Sequence, residues 1–114
     1  MELPTTLPPI PHASTNEKLI VGKLVTDILA AGFPISVNDG EEITVSESTD
    51  PAAIFPALCS TDEDILYVHK PNGMHPFIKL VWGNDCDVIS DYAVSLEPLI
   101  KGAEKLANEL EASQ

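Results

Sequence analysis

The chain has 114 residues, of which 18 are acidic and six are lysines, with no arginine; the net charge is −12 and the pI is near 4.3. Nucleic acids and anionic membranes are bound mainly through Lys and Arg, so this balance argues against direct binding to either. A hydrophobic fraction of 44% is enough for one folded domain. The two cysteines and the lack of a long apolar run indicate a protein of the cytoplasm, with no disulfide framework and no membrane span.

The first 13 residues differ in composition from the rest. They contain four of the ten prolines, and proline can donate neither to a helix nor to a strand ladder. We therefore predict a flexible, proline-rich N-terminal arm over residues 1–13, followed by a single α+β domain over residues 14–114.

A long helix and a hairpin are predicted next. Ser14 with Glu17 three residues later is the pattern of a capping box, and apolar residues then recur at helical spacing until Gly32. Two alternating segments flank Asp39-Gly40, which is a typical hairpin turn.

The second half predicts a similar arrangement. Thr49 or Asp50 caps a short helix that Pro56 interrupts, strands follow over residues 65–69 and 77–82, and a long helix begins after Ser95. The segment 87–92 fits a helical turn or a strand, and we favour the turn. The resulting order is α-β-β-α-β-β-α: a two-layer α+β sandwich in which a four-stranded antiparallel sheet, made of two hairpins, packs against two long helices.

No residue set has the pattern of a catalytic site or of a bound cofactor. Asp85, Asp87 and Asp91 could at most supply carboxylates to Mg²⁺, and capping of a helical turn is the alternative role for them. Aspartates on both sides of Cys86 should raise the pKa of its thiol. We expect His75, like His69, to be an exposed loop histidine.

The last half of the chain resembles a known group of sequences. Trp82-Gly83-Asn84-Asp85, the run from Asp87 to Tyr92 and Leu96-Glu97 are similar to segments of small uncharacterised bacteriophage and prophage proteins. The resemblance implies a phage origin and a bacterial host cytoplasm. It also implies that a non-enzymatic binder or inhibitor of a host protein is the more typical role.

The sequence therefore favours an acidic protein-interaction module whose host partner could be basic. The candidate contact residues are polar or aromatic and lie in loops: Asn72, His75, Asn84, Asp85, Asp87, Asp91 and Tyr92. A first alternative is a nucleic-acid mimic built from the acidic clusters 39–42, 62–64 and 85–91. A second is a metal-dependent enzyme or metal-stabilised binder using the three aspartates, with His75 as a further candidate ligand.

Overall fold

A computed structural model describes residues 8–113 of the chain, which form an α+β fold with a five-stranded antiparallel sheet. The elements follow in this order: α1 Thr15–Ala30, β1 Ile35–Asn38, β2 Ile43–Ser48, α2 Pro51–Ile54, β3 Glu63–Val68, β4 Phe77–Val81, β5 Ile89–Tyr92 and α3 Glu97–Ala112. Short 3-10 turns occupy Phe55–Ala57, Asp85–Asp87 and Val94–Leu96.

The strands lie side by side in the order β2-β1-β3-β4-β5. Both expected hairpins are present, and β1 joins them by pairing with β3, so that Ile35 lies opposite Val68 and Asn38 opposite Ile65. All four pairings are antiparallel. The two edges of the sheet are β2 and β5.

Burial alternates along the central strands because one face of the sheet carries the helices and the other does not. On β3, Leu66 and Val68 are completely buried, while Ile65 and Tyr67, which alternate with them, stay partly exposed. The buried face packs against α1, α3 and the segment after α2. Its central apolar residues are Ile20, Leu24, Ile28, Ile54, Leu58, Leu66, Ile78, Leu80 and Ile100.

The predicted core is therefore mostly confirmed. Leu80 and Ile78 are completely buried, and Ala103 and Leu106 are buried residues of α3. Leu99 is only half-buried and packs at the margin of this core.

The start of α1 confirms the predicted capping box. The Ser14 Oγ accepts a hydrogen bond from the Glu17 N–H at 3.1 Å, and the Glu17 Oε1 accepts from the Ser14 N–H at 2.9 Å. Gly32 follows the helix with a φ of +90°, in the region where glycine is favoured. Asp50 caps α2 as expected, by accepting from the Ala52 N–H at 2.9 Å.

The predicted count of four strands and two long helices was wrong. Residues 89–92 form a fifth strand rather than a helical turn, because their backbone can pair with the free edge of β4. The helical part of this segment is only the 3-10 turn at Asp85–Asp87. The short helix predicted between the hairpins is present as α2, which brings the helices to three. A 3-10 turn at Val94–Leu96 leads into α3 with no side-chain cap, so Ser95 does not have the capping role predicted for it.

The described part of the predicted arm is packed against the domain. Ile10 is 1% exposed and belongs to the core. Pro8 lies so close to Gly22 of α1 that a β-carbon there would come within 2.5 Å of the proline ring. Residues 1–7 of the arm lie outside the described residues. Among the described helices, none combines the length and the apolar character needed to cross a membrane.

Candidate functional site

The predicted contact residues do not form one site. Asn72 and His75 lie at the tip of the β3–β4 hairpin, and Asn84, Asp85 and Asp87 lie in the turn at the opposite end of β4. Asp91 and Tyr92, on β5, are on different sides of the sheet, because the side chains of adjacent strand residues point to opposite faces.

Asn72 shapes the hairpin tip. Its Oδ1 accepts a hydrogen bond from the Met74 N–H at 3.0 Å, and the Lys70 N–H donates to the Met74 carbonyl at 2.8 Å. This turn leaves Met74 61% exposed. His75 is exposed as expected, and its ring centroid is 6.0 Å from that of Tyr67. The tip thus presents an apolar and an aromatic side chain to solvent.

Asp85 is a structural link to the first helix. Its two carboxylate oxygens accept hydrogen bonds from the Ser14 hydroxyl and the Asn16 amide, each at 2.9 Å. Nearby, the Gly83 N–H donates to the buried Glu17 carboxylate at 2.7 Å. The turn thus folds back onto α1, and no side-chain cap forms at Asn84, which begins the 3-10 turn.

Asp87 borders a small cleft against α3. The cleft has a volume of about 110 Å³ and is lined by Cys86, Asp87, Ile89, Glu104, Ala107, Asn108 and Glu111. Burial, and then the neighbouring Asp85, raises the pKa of the Cys86 thiol, which confirms the predicted direction and disfavours the thiolate.

Tyr92 and Asp91 point to different surroundings. The Tyr92 hydroxyl lies 3.4 Å from Glu104 on α3, and desolvation, followed by that carboxylate, raises the pKa of the phenol. Asp91 lies opposite Lys79 on the other side of the sheet, and its Oδ1 accepts from the Tyr92 N–H at 2.9 Å. Within residues 8–113, no group of three His, Cys, Asp or Glu side chains is arranged to hold a metal ion.

The sheet surface away from the helices is the largest feature that the sequence reasoning missed. We call it the open face. It comprises Ser36 and Asn38 on β1, Ile43 on β2, Glu63, Ile65 and Tyr67 on β3, Phe77, Lys79 and Val81 on β4, and Asp91 on β5. Ile43 is 49% and Phe77 37% exposed. Large apolar side chains left open to solvent on one sheet face are typical of a contact surface.

One polar cluster lies at the edge of the open face. His69 Nε2 is 2.7 Å from the Ser36 Oγ, and His69 Nδ1 is 3.8 Å from the Glu47 carboxylate. A serine, a histidine and a carboxylate in contact resemble a hydrolase triad. However, Ser36 is only 5% exposed, and its Oγ already accepts a hydrogen bond from the Glu47 N–H at 2.9 Å. Glu47 has a φ of +44°, so the cluster holds an irregular stretch of β2 in place.

Both edges of the sheet are unsuited to pairing with another strand. The pairing of β2 with β1 shifts register twice, and that of β4 with β5 shifts once. Directly after β5, the Ala93 N–H donates to the Phe77 carbonyl on β4. Because successive N–H groups of a strand point in opposite directions, the Tyr92 N–H points away from the sheet, where the Asp91 side chain accepts its hydrogen bond. Bulges and occupied donors of this kind prevent edge-to-edge association.

The three acidic clusters lie at one end of the sheet. The antiparallel register places the β1–β2 turn, the start of β3 and the turn after β4 together, and the Trp82 N–H donates to the Asp62 carbonyl at 2.9 Å. Some of their carboxylates are engaged internally, since Asp39 accepts from the N–H groups of Glu41 and Glu42, which lowers its pKa. We call this region the acidic end; its exposed carboxylates are Glu41, Glu42, Asp62, Glu63 and Asp87.

A buried carboxylate, that of Asp64, forms hydrogen bonds inside the acidic end. Asp64 is completely buried, and its Oδ2 accepts from the Cys59 N–H and from the Trp82 Nε1–H, both at 2.8 Å. Its Oδ1 has no hydrogen-bond partner among the described residues. Burial raises the pKa of Asp64. Burial also raises the pKa of the Cys59 thiol, and the nearby charges of Glu17 and Asp64 raise it further. The Trp82 ring is 8% exposed, as predicted.

Comparison with known proteins provides no further constraint on this site, because no family model, curated protein or solved structure matches the chain.

Proposed function

We propose that this chain is a small acidic, non-enzymatic interaction module that binds or inhibits a host protein through the open face of its sheet. The observation that carries the proposal is the one-sided covering of the sheet. The helices bury the central strands of one face, whereas the other face leaves Ile65, Tyr67 and Phe77 partly exposed in adjacent rows. Protein contacts concentrate on such aromatic and aliphatic patches.

The rest of the surface is consistent with a binder. The thiols of Cys59 and Cys86 both have raised pKa values, so neither is activated as a nucleophile. The register shifts of both edge pairings and the occupied Tyr92 N–H disfavour a partner strand at the sheet edges. A phage or prophage origin and a bacterial host cytoplasm belong to the same proposal, and the resemblance of the segment from Trp82 to Tyr92 supports them.

The test is affinity capture from bacterial lysate with matched variants. Phe77→Ser removes an exposed ring of the open face, beside Tyr67. Val94→Ser removes a side chain that is 80% exposed but lies outside that face, before α3. The wild type and Val94→Ser should retain the same protein, which Phe77→Ser should lose while melting within a few degrees of wild type. Equal retention by both variants would refute the use of this face.

A second candidate function is supported by the acidic end. A nucleic-acid mimic needs carboxylates on one surface, and the exposed carboxylates of the acidic end support this candidate, whereas Asp64 is buried and Asp91 lies on the open face. Competition with DNA for a basic DNA-binding protein would test it. A mimic should lose competition in a Glu41→Gln/Glu42→Gln double variant and keep it in Phe77→Ser; the opposite result would favour the interaction module.

A further inference from the structure

We infer that the partner element bound by the open face is an amphipathic α-helix whose apolar stripe is flanked by Lys or Arg. This inference rests on the proposed function above and adds the secondary structure and the charge of the occupant. Three properties of the face support it: its charge, the state of the strand edges and the spacing of its apolar rows.

The charge of the open face is negative at its margins. Glu63 lies at one end of the apolar rows, Asp91 on the neighbouring strand β5, and Glu47 beside His69 on the β2 side. The cation of this face, Lys79, is already 3.6 Å from the Glu63 carboxylate. A partner with basic residues on both sides of an apolar stripe would match these carboxylates, and the net charge of −12 would speed its approach.

The strand edges argue against an occupant that adds a strand. Strand addition requires a row of free backbone N–H and C=O groups. On β5 the outward Tyr92 N–H is bound by Asp91, and β2 is distorted at Glu47. A helix needs no backbone hydrogen bonds from the sheet, because its own are internal.

The spacing of the apolar side chains also suits a helix. Ile65 and Tyr67 are two residues apart on β3, about 7 Å along the strand, and Phe77 lies beside Tyr67 on the next strand, about 5 Å away. Helix residues at i, i+3, i+4 and i+7 form a stripe with spacings of about 5–6 Å. α1 and α3 already pack on the opposite face, so a third helix would give the sheet helices on both faces.

The experiment uses three synthetic peptides of about 18 residues and the full chain. The first has Leu at i, i+3, i+4 and i+7 with Lys elsewhere, the second contains the same residues in strict alternation, and the third replaces every Lys of the first by Glu. Titration by calorimetry gives the affinities, circular dichroism reports helix formation, and amide chemical shifts locate the contact. The first peptide should bind at least tenfold more tightly than either other peptide, become helical, and shift amides of residues 65–67 and 77–81.

Variants separate this contact from general attraction to an acidic protein. Phe77→Ser should weaken binding of the first peptide at least tenfold. Glu41→Gln/Glu42→Gln, which changes the acidic end only, should stay within about threefold of wild type. Lys79→Gln removes a positive charge from the face and should tighten binding about twofold, a change that misfolding would not produce.

The outcomes distinguish this inference from the proposed function. Equal binding of the alternating peptide, or an effect of the acidic-end variant as large as that of Phe77→Ser, would overturn the inference of a basic helix. The proposed function would still stand if Phe77→Ser abolished capture from lysate. Normal capture by Phe77→Ser would refute the proposed function itself, and the inference with it.

Discussion

Replacing the buried Asp64 by asparagine should change how the stability of the protein depends on pH. The carboxylate is completely buried, two N–H groups donate to one of its oxygens, and the other oxygen has no hydrogen-bond partner among the described residues. Burial disfavours the charged form and raises the pKa of Asp64 in the folded state. In the unfolded chain the pKa of an aspartate is about 3.9.

The sign of the effect follows from these two values. Below about pH 4 the group is neutral in both states, so the folded protein bears no cost for its charge. As the pH rises from there through the pKa of Asp64 in the folded state, Asp64 ionises more readily in the unfolded chain than in the folded protein. The free energy of unfolding therefore falls. The loss is about 1.4 kcal/mol for each unit by which the folded pKa exceeds the unfolded one. The asparagine side chain cannot ionise, so Asp64→Asn should gain stability relative to wild type by this amount between pH 4 and neutral pH.

Urea denaturation of both proteins at several pH values measures the difference. Asp62→Asn is the matched control, because it changes the net charge equally at an exposed neighbouring position and should stay within about 0.5 kcal/mol of wild type. Asp64→Ala should lose about 1–3 kcal/mol for each of the two buried donors left unpaired at acidic pH, and this deficit should shrink as the pH rises, because the alanine variant bears no ionisation cost either. A difference between Asp64→Asn and wild type that does not vary with pH would contradict the reasoning.

Four further predictions concern the core, the N-terminal segment, the turn after β4 and metals. Leu80→Ala should lower the free energy of unfolding by about 2–5 kcal/mol in urea titrations, and Leu99→Ala, at a half-buried site, by clearly less; equal losses would contradict the burial pattern. Gly22→Ala should displace Pro8 and make the N-terminal segment more sensitive to limited proteolysis, whereas unchanged cleavage would show that the segment does not pack there. Asp85→Ala should cost about 1–2 kcal/mol by removing two bonds to α1, and a neutral result would refute this link. The melting temperature should not rise with millimolar Mg²⁺, Ca²⁺, Mn²⁺ or Zn²⁺; a rise would support the metal-dependent alternative.

Local signals in the sequence predicted the parts of the fold that depend on neighbouring residues. The capping box of Ser14 and Glu17, the cap at Asp50 and the turn around Gly40 each involve groups within about four residues of one another. Such contacts form whatever the rest of the chain does, so their residue types suffice to predict them.

The candidate site was predicted much less well, because its residues belong to distant parts of the chain. Asp85 was recognised as a polar turn residue, but its partner Ser14 is 71 positions away. Ser36 and His69 are 33 positions apart, and neither carries a pattern that would predict their contact. The open face was missed for a related reason: Ile65, Tyr67 and Val81 are residue types that are as common in a core as on a contact surface.

The amino-acid sequence by itself thus determined the helices α1 and α3, the two hairpins, the alternation of β3 and β4 and the acidic character of the protein. Only the tertiary structure decided that residues 89–92 pair as a fifth strand, that Asp64 is buried and which residues lie on the uncovered face of the sheet. The physical reason is that alternation divides a strand into two faces without specifying which one a helix will cover. That choice depends on the simultaneous packing of α1, α3 and the sheet, which no short segment of sequence contains.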